Sequence, residues 1–375
     1  MLSPSKIRVL TPRRLFSHQF LALAVLVIIL LNVPFLLRAE DGQHRYKWGW
    51  GSEEDKSQEQ SNGGQQQGNQ PQTENPQQEE IKPGSCASFP YSDRVVVTAK
   101  TGATESYERI PILMETSLRC ASKAIIFSDM AQTIGNYTIH DALDTMPASA
   151  IDKNSDFDIY RKQQELQDPY KIVTELKGMM DPRRPDEPAA WTLDKYKFLH
   201  IIEKSWAMEP DADWYIHIDA DTYIVWPSLL AWLPKMDPSK EAFIGSLSSI
   251  GGKAFAHGGS GMLLSRAAMF NFNVIHAGTA GRWDVEMHEN CCGDWVLAQI
   301  LKEYGMEVMH AWPTIQGETP STVPFADTHW CQPLVTMHHM SYAESKAFGE
   351  FEKKRKNPNV RTFFPLLFLQ KKASV

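Results

Sequence analysis

The sequence predicts an α/β domain on a mainly parallel sheet flanked by helices, set behind an N-terminal membrane span. Strand-like apolar runs alternate with segments of helical spacing, which is the βαβ pattern of a parallel sheet. Three of those runs stop on polar residues, at Thr101, Asp129 and Asp219, and ligands of open α/β sheets sit at the carboxyl ends of strands. The span is predicted by residues 20–37, an apolar run without charge, interrupted only by Asn32 and Pro34.

The elements follow in chain order. Residues 1–19 form a short tail carrying Lys6, Arg8, Arg13 and Arg14. Residues 20–37 are just long enough to cross about 30 Å of hydrocarbon as a helix. Basic residues before the span, with Glu40 and Asp41 soon after it, keep the N-terminus cytosolic and the rest luminal or extracellular. A cleaved signal peptide is the rival reading, but the run exceeds a typical signal core and Leu37-Arg38-Ala39 is a poor cleavage site. Residues 38–85 are a disordered stem, rich in Gln, Glu, Asn, Gly and Ser and unable to bury enough surface to offset chain entropy. The stem holds much of the acidic excess behind the net charge of -7, from 45 acidic and 38 basic side chains. No long Lys/Arg stripe is present, which argues against nucleic acid as a partner. Residues 86–375 are one large domain. Residues 94–99 and 123–127 read as strands around a helix over 106–119. Residues 193–206 read as a helix leading to a strand over 214–218. The polar stretch 139–188 is a helical insertion or a mobile loop over the cleft.

Asp219-Ala220-Asp221 places two carboxylates on one side of an extended backbone, which suits a hard divalent cation and the diphosphate it bridges. Alone, such a triplet is common in turns; its position directly after an apolar strand gives it weight. His257-Gly258-Gly259-Ser260-Gly261 is a Gly-rich loop that admits close backbone approach to a ligand, or simply a tight turn. It matches neither the dinucleotide fingerprint nor the P-loop. Asp294 precedes a helical segment, where it is either a cap or a general base facing a cleft. Val335-Thr336-Met337-His338-His339 ends a short strand in adjacent imidazoles, and since strand neighbours face opposite ways only one would reach a metal. Lys195 and Lys197 either add charge near a diphosphate or, more commonly for such residues, sit on a helix surface.

In this order the motifs resemble the family 31 glycosyltransferases of the GT-A fold, the Fringe and core 1 β1,3-galactosyltransferase group, in a fungal-type branch. The resemblance runs through Val97 to Gly102, Tyr107 to Leu118, Phe127-Ser128-Asp129, Lys195-Tyr196-Lys197, Asp211 to Tyr223, Gly258 to Gly261, Gly293-Asp294 and Thr336-Met337-His338. It implies a Rossmann-like GT-A domain that transfers a hexose, galactose or a related sugar, from a UDP-sugar to a glycan or glycoprotein hydroxyl with inversion. It implies Lys100, Thr101 and Asp129 at the uracil, Asp219 at the ribose-diphosphate, and Gly258 and Gly259 near sugar and acceptor. Mn²⁺ would be held by Asp219, Asp221 and His338, and Asp294 would be the base. It further implies a single-pass type II protein of the Golgi membrane, and a Cys86–Cys120 disulfide.

This chain has Ala220 where the family commonly has a third acid, and Gly293 where it has a Glu. These departures motivate the alternative of a non-catalytic UDP-sugar- or glycan-binding scaffold. A two-metal hydrolase is disfavoured because no second His/Asp cluster is present. Adjacent cysteines rarely bond each other comfortably, so Cys331 is expected to pair with Cys291 or Cys292. Asn136-Tyr137-Thr138 is a glycosylation sequon. Residues 361–369 are too short to span a membrane. Oligomeric state is not legible.

Overall fold

The strand β1 (Val95–Lys100) is buried along almost its whole length, with no polar alternation. That is the pattern of a strand covered on both faces. The computed structural model, which describes residues 91–324 and 332–354, places it in the middle of a mixed sheet. β2 (Lys123–Ser128), β3 (Gln132–Ile134) and β4 (Tyr137–Asp141) lie to one side. A small hairpin, β5 (Met180–Asp181) with β6 (Arg184–Pro188), stands apart. β7 (Trp214–Asp219) flanks β1 on the other side and leads into β8 (Tyr223–Ile224). After it come β9 (Phe243–Gly245), the ribbon β10 (Leu247–Ile250) with β11 (Lys253–Ala256), then β12 (Met262–Ser265), β13 (Val308–His310) and β14 (Thr336–Met337).

The eight-stranded sheet has the order β13-β9-β12-β7-β1-β2-β4-β3. β1 runs parallel to β2 and β7, β2 to β4, and β13 to β9, while β12 and β3 are antiparallel to their neighbours. The mainly parallel sheet expected from the βαβ pattern is therefore present. The helices Lys197–Met208 and Gly293–Glu303 bury Leu199, Ile202, Val296, Leu297 and Ile300 against Val96, Tyr215 and Leu264 of the sheet. Near β8, Tyr223, Val225, Met337, Met340 and Phe348 form a separate cluster that packs the helix Tyr342–Lys354.

The helix expected over 106–119 ends at Glu115. Thr116 leaves helical geometry, and its hydroxyl donates to the Ile112 carbonyl at 2.6 Å. The helix expected over 193–206 is divided into Ala189–Asp194 and Lys197–Met208. The residues between them are tied to a buried anchor: Lys195 Nζ is 3.0 Å from Asp156 Oδ2, and Tyr196 OH donates to the same oxygen at 2.7 Å. The stretch 139–188, expected as an insertion or a mobile loop, supplies that anchor and contains short helices and the β5–β6 hairpin. Asn136 sits exposed at the β3–β4 turn. Among the described residues no helix is long and apolar enough to cross a membrane, and the span expected over 20–37 lies outside them, as do the stem, Cys86, Cys331 and residues 361–369.

At the amino end of the sheet, Asp213 accepts hydrogen bonds from Arg94 Nη2 at 2.7 Å, Arg94 Nε at 3.1 Å and Tyr91 OH at 2.9 Å, with Arg266 Nη1 3.2 Å away. The Arg94 hydrogen bond, working against partial burial, holds the Asp213 carboxyl below the usual carboxylate range. A depressed folded-state value contributes stability that is present above the unfolded value near 4 and lost as pH falls through the folded one. Asp213→Asn is expected to lower unfolding free energy by about 1–2 kcal/mol at neutral pH and to flatten the acid limb of stability below about pH 4. Denaturant melts of both proteins at several pH values check this.

Candidate functional site

Parallel pairing of β1 with β7 makes Lys100 and Asp219 register partners at the carboxyl edge of the sheet. Lys100 Nζ lies 2.9 Å from Asp219 Oδ1 and 2.5 Å from Asp194 Oδ2. Burial opposes its charge, but these carboxylates outweigh it and hold the ammonium above the usual lysine range. Lys197 Nζ, also buried, sits 3.2 Å from Asp194 Oδ1 and donates to the Thr101 carbonyl at 2.8 Å. These groups form one end of a cleft of about 570 Å³, which is also lined by Asp221, His257, Gly259, Asp294, His338 and His339.

The chain after β7 turns and pairs β8 with β14, Thr336 opposite Ile224 and Met337 opposite Tyr223. The Met340 N–H donates to the Asp221 carbonyl at 3.0 Å. His338 Nε2 thereby comes to 3.1 Å from Asp221 Oδ1 and 3.9 Å from Asp219 Oδ2. Burial opposes ionisation of Asp221, yet the His338 hydrogen bond and charge bring its carboxyl below the usual range. His338 Nδ1 is buried without a partner among the described residues, so the ring's polar engagement is toward the carboxylates. Gly259 packs on this ring: a Cβ there would stand 2.2 Å from His338 Cε1.

The expectation that only one of the adjacent imidazoles faces a metal does not hold geometrically. The strand ends at Met337, and His339 adopts a left-handed backbone with φ 57°. The chain bends, and His339 Nδ1 comes to 3.8 Å from Asp221 Oδ2. Asp221, His338 and His339 can each offer a ligand atom within 4.8 Å of the others. One carboxylate and two imidazoles suit a divalent transition metal. Asp219 stands at the edge of this group with one oxygen engaged by Lys100.

Asp294, which lines the same cleft, lies in the first turn of the helix Gly293–Glu303. Its Oδ1 accepts the Trp295 N–H at 2.8 Å and its Oδ2 accepts the Gly258 N–H at 2.9 Å. Burial pushes its carboxyl above the usual range despite these two donors. Gly293 is held by close packing: a Cβ there would lie 2.3 Å from the Lys195 carbonyl oxygen and 2.4 Å from Phe198 Cδ2.

Not every expected residue reaches the cleft with its functional group. Asp129 is fully buried behind the β1 loop, where it accepts the Ala103 N–H at 2.6 Å, the Ser128 hydroxyl at 3.1 Å and Gln163 Nε2 at 3.2 Å. Lys195 and Lys197 are buried and not on a helix surface. Lys195 directs its ammonium away, to Asp156 and to the carbonyls of His288 and Asn290 at 3.1 and 3.0 Å. Thr101 and Gly259 line the cleft, whereas Gly258 reaches Asp294 through its N–H. The expected pairing of Cys331 with Cys291 or Cys292 is overturned, because Cys291 and Cys292 are bonded to each other at the cleft wall. Cys120 is disulfide-bonded; Cys86, the partner expected for it, lies outside the described residues. Asp194, His257, His339 and the half-exposed Trp191 line the cleft and were not singled out as functional. Two of them had a signal, His339 in its adjacency to His338 and His257 in its place at the head of the Gly-rich loop.

Residues 91–314, more than half of the chain, match the family model described as Fringe-like. The chain belongs to the Fringe-like family. This Fringe-like protein is a glycosyltransferase. Among solved structures it is similar to a galactosyltransferase, LgtC, in complex with donor and acceptor sugar analogues, at 9% identity and TM-score 0.35, covering 70% of this chain and 96% of that one. It is also similar to a glycosyltransferase involved in glycosylation of the major capsid of PBCV-1, at 9% identity, TM-score 0.30 and coverage of 68% and 98%. A third is the glycosyltransferase GlyE of Streptococcus pneumoniae TIGR4, at 12% identity, TM-score 0.33 and coverage of 75% and 64%. No curated protein sequence matches significantly.

Gly259→Ala is expected to displace the His338 imidazole and weaken binding of a divalent cation offered to Asp221 and His338 about 10- to 100-fold, as loss of a supporting contact does at metal sites. Calorimetric titration of Mn²⁺ into the folded variant checks it, with circular dichroism as the control for fold.

Proposed function

We propose that this protein transfers a hexose, galactose or a related sugar, from a UDP-sugar to a hydroxyl of a glycan or glycoprotein acceptor, with inversion at the anomeric carbon. The observation that carries the reading is the presence, within one cleft, of a group able to hold a cation at Asp221 and His338 and of a buried carboxylate at Asp294 with its pKa raised. Asp221 and His338 would hold Mn²⁺, with Asp219 and His339 beside them. When bound, the cation supplies positive charge to the leaving diphosphate.

The chain's own groups do the remainder. The loop after β1, Thr101 to Thr104, receives the nucleotide base, and Asp129 keeps that loop in place through the Ala103 N–H. Lys100 balances the charge of Asp219 and Asp194, so these two carboxylates can stand near the diphosphate without mutual repulsion dominating. Asp294 Oδ atoms take the proton of the acceptor hydroxyl while its oxygen bonds to the anomeric carbon and the bond from that carbon to UDP breaks. The desolvated, raised carboxyl is the stronger base. The protein acts in the Golgi, as the family resemblance implies, anchored through residues 20–37 with its catalytic domain luminal, an orientation that the charge asymmetry around the apolar run supports.

UDP release from UDP-sugars by the full-length chain is expected to require both Mn²⁺ and Asp221, and to be abolished in Asp221→Asn. Asp294→Asn is expected to lower turnover about 10²- to 10⁴-fold while leaving UDP binding intact. The wild-type rate should rise with pH through a group titrating above the usual carboxylate range, and that limb should be missing in Asp294→Asn. UDP–Mn²⁺ binding without turnover for any donor and acceptor pair would favour the non-catalytic alternative.

A further inference from the structure

His257 belongs neither to the cation group nor to the base, yet it lines the cleft between them. Its ring makes an edge contact with the His338 imidazole, centroids 5.5 Å apart. The next residue, Gly258, donates its N–H to Asp294 Oδ2 at 2.9 Å. The imidazole thus stands between the end of the cleft that faces the leaving diphosphate and the end that faces the acceptor. In a single displacement those two oxygens lie in line on either side of the anomeric carbon. What remains beside that line is the ring of the transferred sugar, with its hydroxyls.

The chemistry of the imidazole is fixed by its own loop. The Ser260 N–H donates to His257 Nδ1 at 3.2 Å, and the Ser260 hydroxyl lies 2.8 Å from the same nitrogen. A nitrogen that accepts a backbone N–H carries no proton, so the neutral ring holds its proton on Nε2. Nε2 has no partner among the described residues, whereas Ser260 is buried and its carbonyl is held by the Thr336 hydroxyl at 2.7 Å. The His257 N–H donates to the Ser246 carbonyl at 2.9 Å and the Gly259 carbonyl accepts the Thr222 hydroxyl at 2.7 Å, so the loop on both sides is pinned. The result is a hydrogen-bond donor of set direction, oriented before any ligand arrives.

We infer that His257 Nε2–H donates to a hydroxyl of the transferred sugar and sets which sugar the enzyme accepts. This rests on the sugar-nucleotide reading above. A site built to hydrogen-bond one hydroxyl discriminates against donors lacking it in that position, because the donor group is then left unpaired.

The test is calorimetric binding of UDP, UDP-galactose, UDP-glucose and UDP-N-acetylglucosamine to the full-length chain with Mn²⁺, for wild type, His257→Ala and His257→Gln. The side-chain amide nitrogen of glutamine reaches the place of Nε2. His257→Ala is expected to leave UDP affinity unchanged, weaken the best-bound UDP-sugar about 3- to 15-fold, the worth of one hydrogen bond, and collapse its preference over the other sugars. His257→Gln is expected to restore much of both. Equal weakening of UDP and UDP-sugar by His257→Ala, or no change in either, overturns the inference while leaving the sugar-nucleotide reading intact. Failure of the wild type to bind UDP with Mn²⁺ overturns that reading and this inference with it.

Discussion

The lateral pairing of β1 with β7 is the constraint on which the site depends. It brings level the last residues of two strands buried up to those residues, so Lys100 meets Asp219 without any loop having to search for the geometry. Carboxylates gathered at a buried edge repel one another. Lys100 and Lys197, interleaved with Asp194, Asp219 and Asp129, keep that edge near charge balance before a cation or diphosphate enters. Such a network does little for stability on its own. Its consequence is positional, because each carboxylate is held where a cationic partner directs it.

The second dependence is on the Gly-rich loop, which acts as a brace between the two ends of the cleft. Gly258 holds Asp294 through a backbone N–H, Gly259 supports the His338 ring by close contact, and Ser260 orients His257. Backbone groups perform much of this, which suits a site that must not rearrange as charge develops. The β8–β14 pairing then closes the arrangement by returning a distant part of the chain to Asp221.

Much of this was legible in the sequence. Strand ends at Thr101, Asp129 and Asp219 could be read because buried parallel strands are continuous apolar runs, and the Gly-rich loop because glycine marks close approach. Three features were not. His339 was set aside on the alternation rule, which fails once the strand stops and the backbone turns left-handed. Lys195 and Lys197 have the spacing of exposed helix residues, and partners distant in sequence draw them inward: Asp156 and the His288 and Asn290 carbonyls for Lys195, Asp129 and the Thr101 carbonyl for Lys197. The Gly293 departure reads in sequence as a lost acid; the structure gives it a steric cause, since any side chain there would collide with the Lys195 carbonyl and Phe198. Asp129 shows the converse, a residue whose motif is plain but whose carboxylate holds a loop from behind.

The most direct test is a crystal structure of the chain with Mn²⁺ and UDP, with the cation located by its anomalous scattering. The account predicts one strong peak within bonding distance of Asp221 and His338, and the diphosphate between that peak and the Asp294 side of the cleft. A cation bound elsewhere, or a diphosphate outside the Asp221–His338–Asp294 cleft, would contradict it.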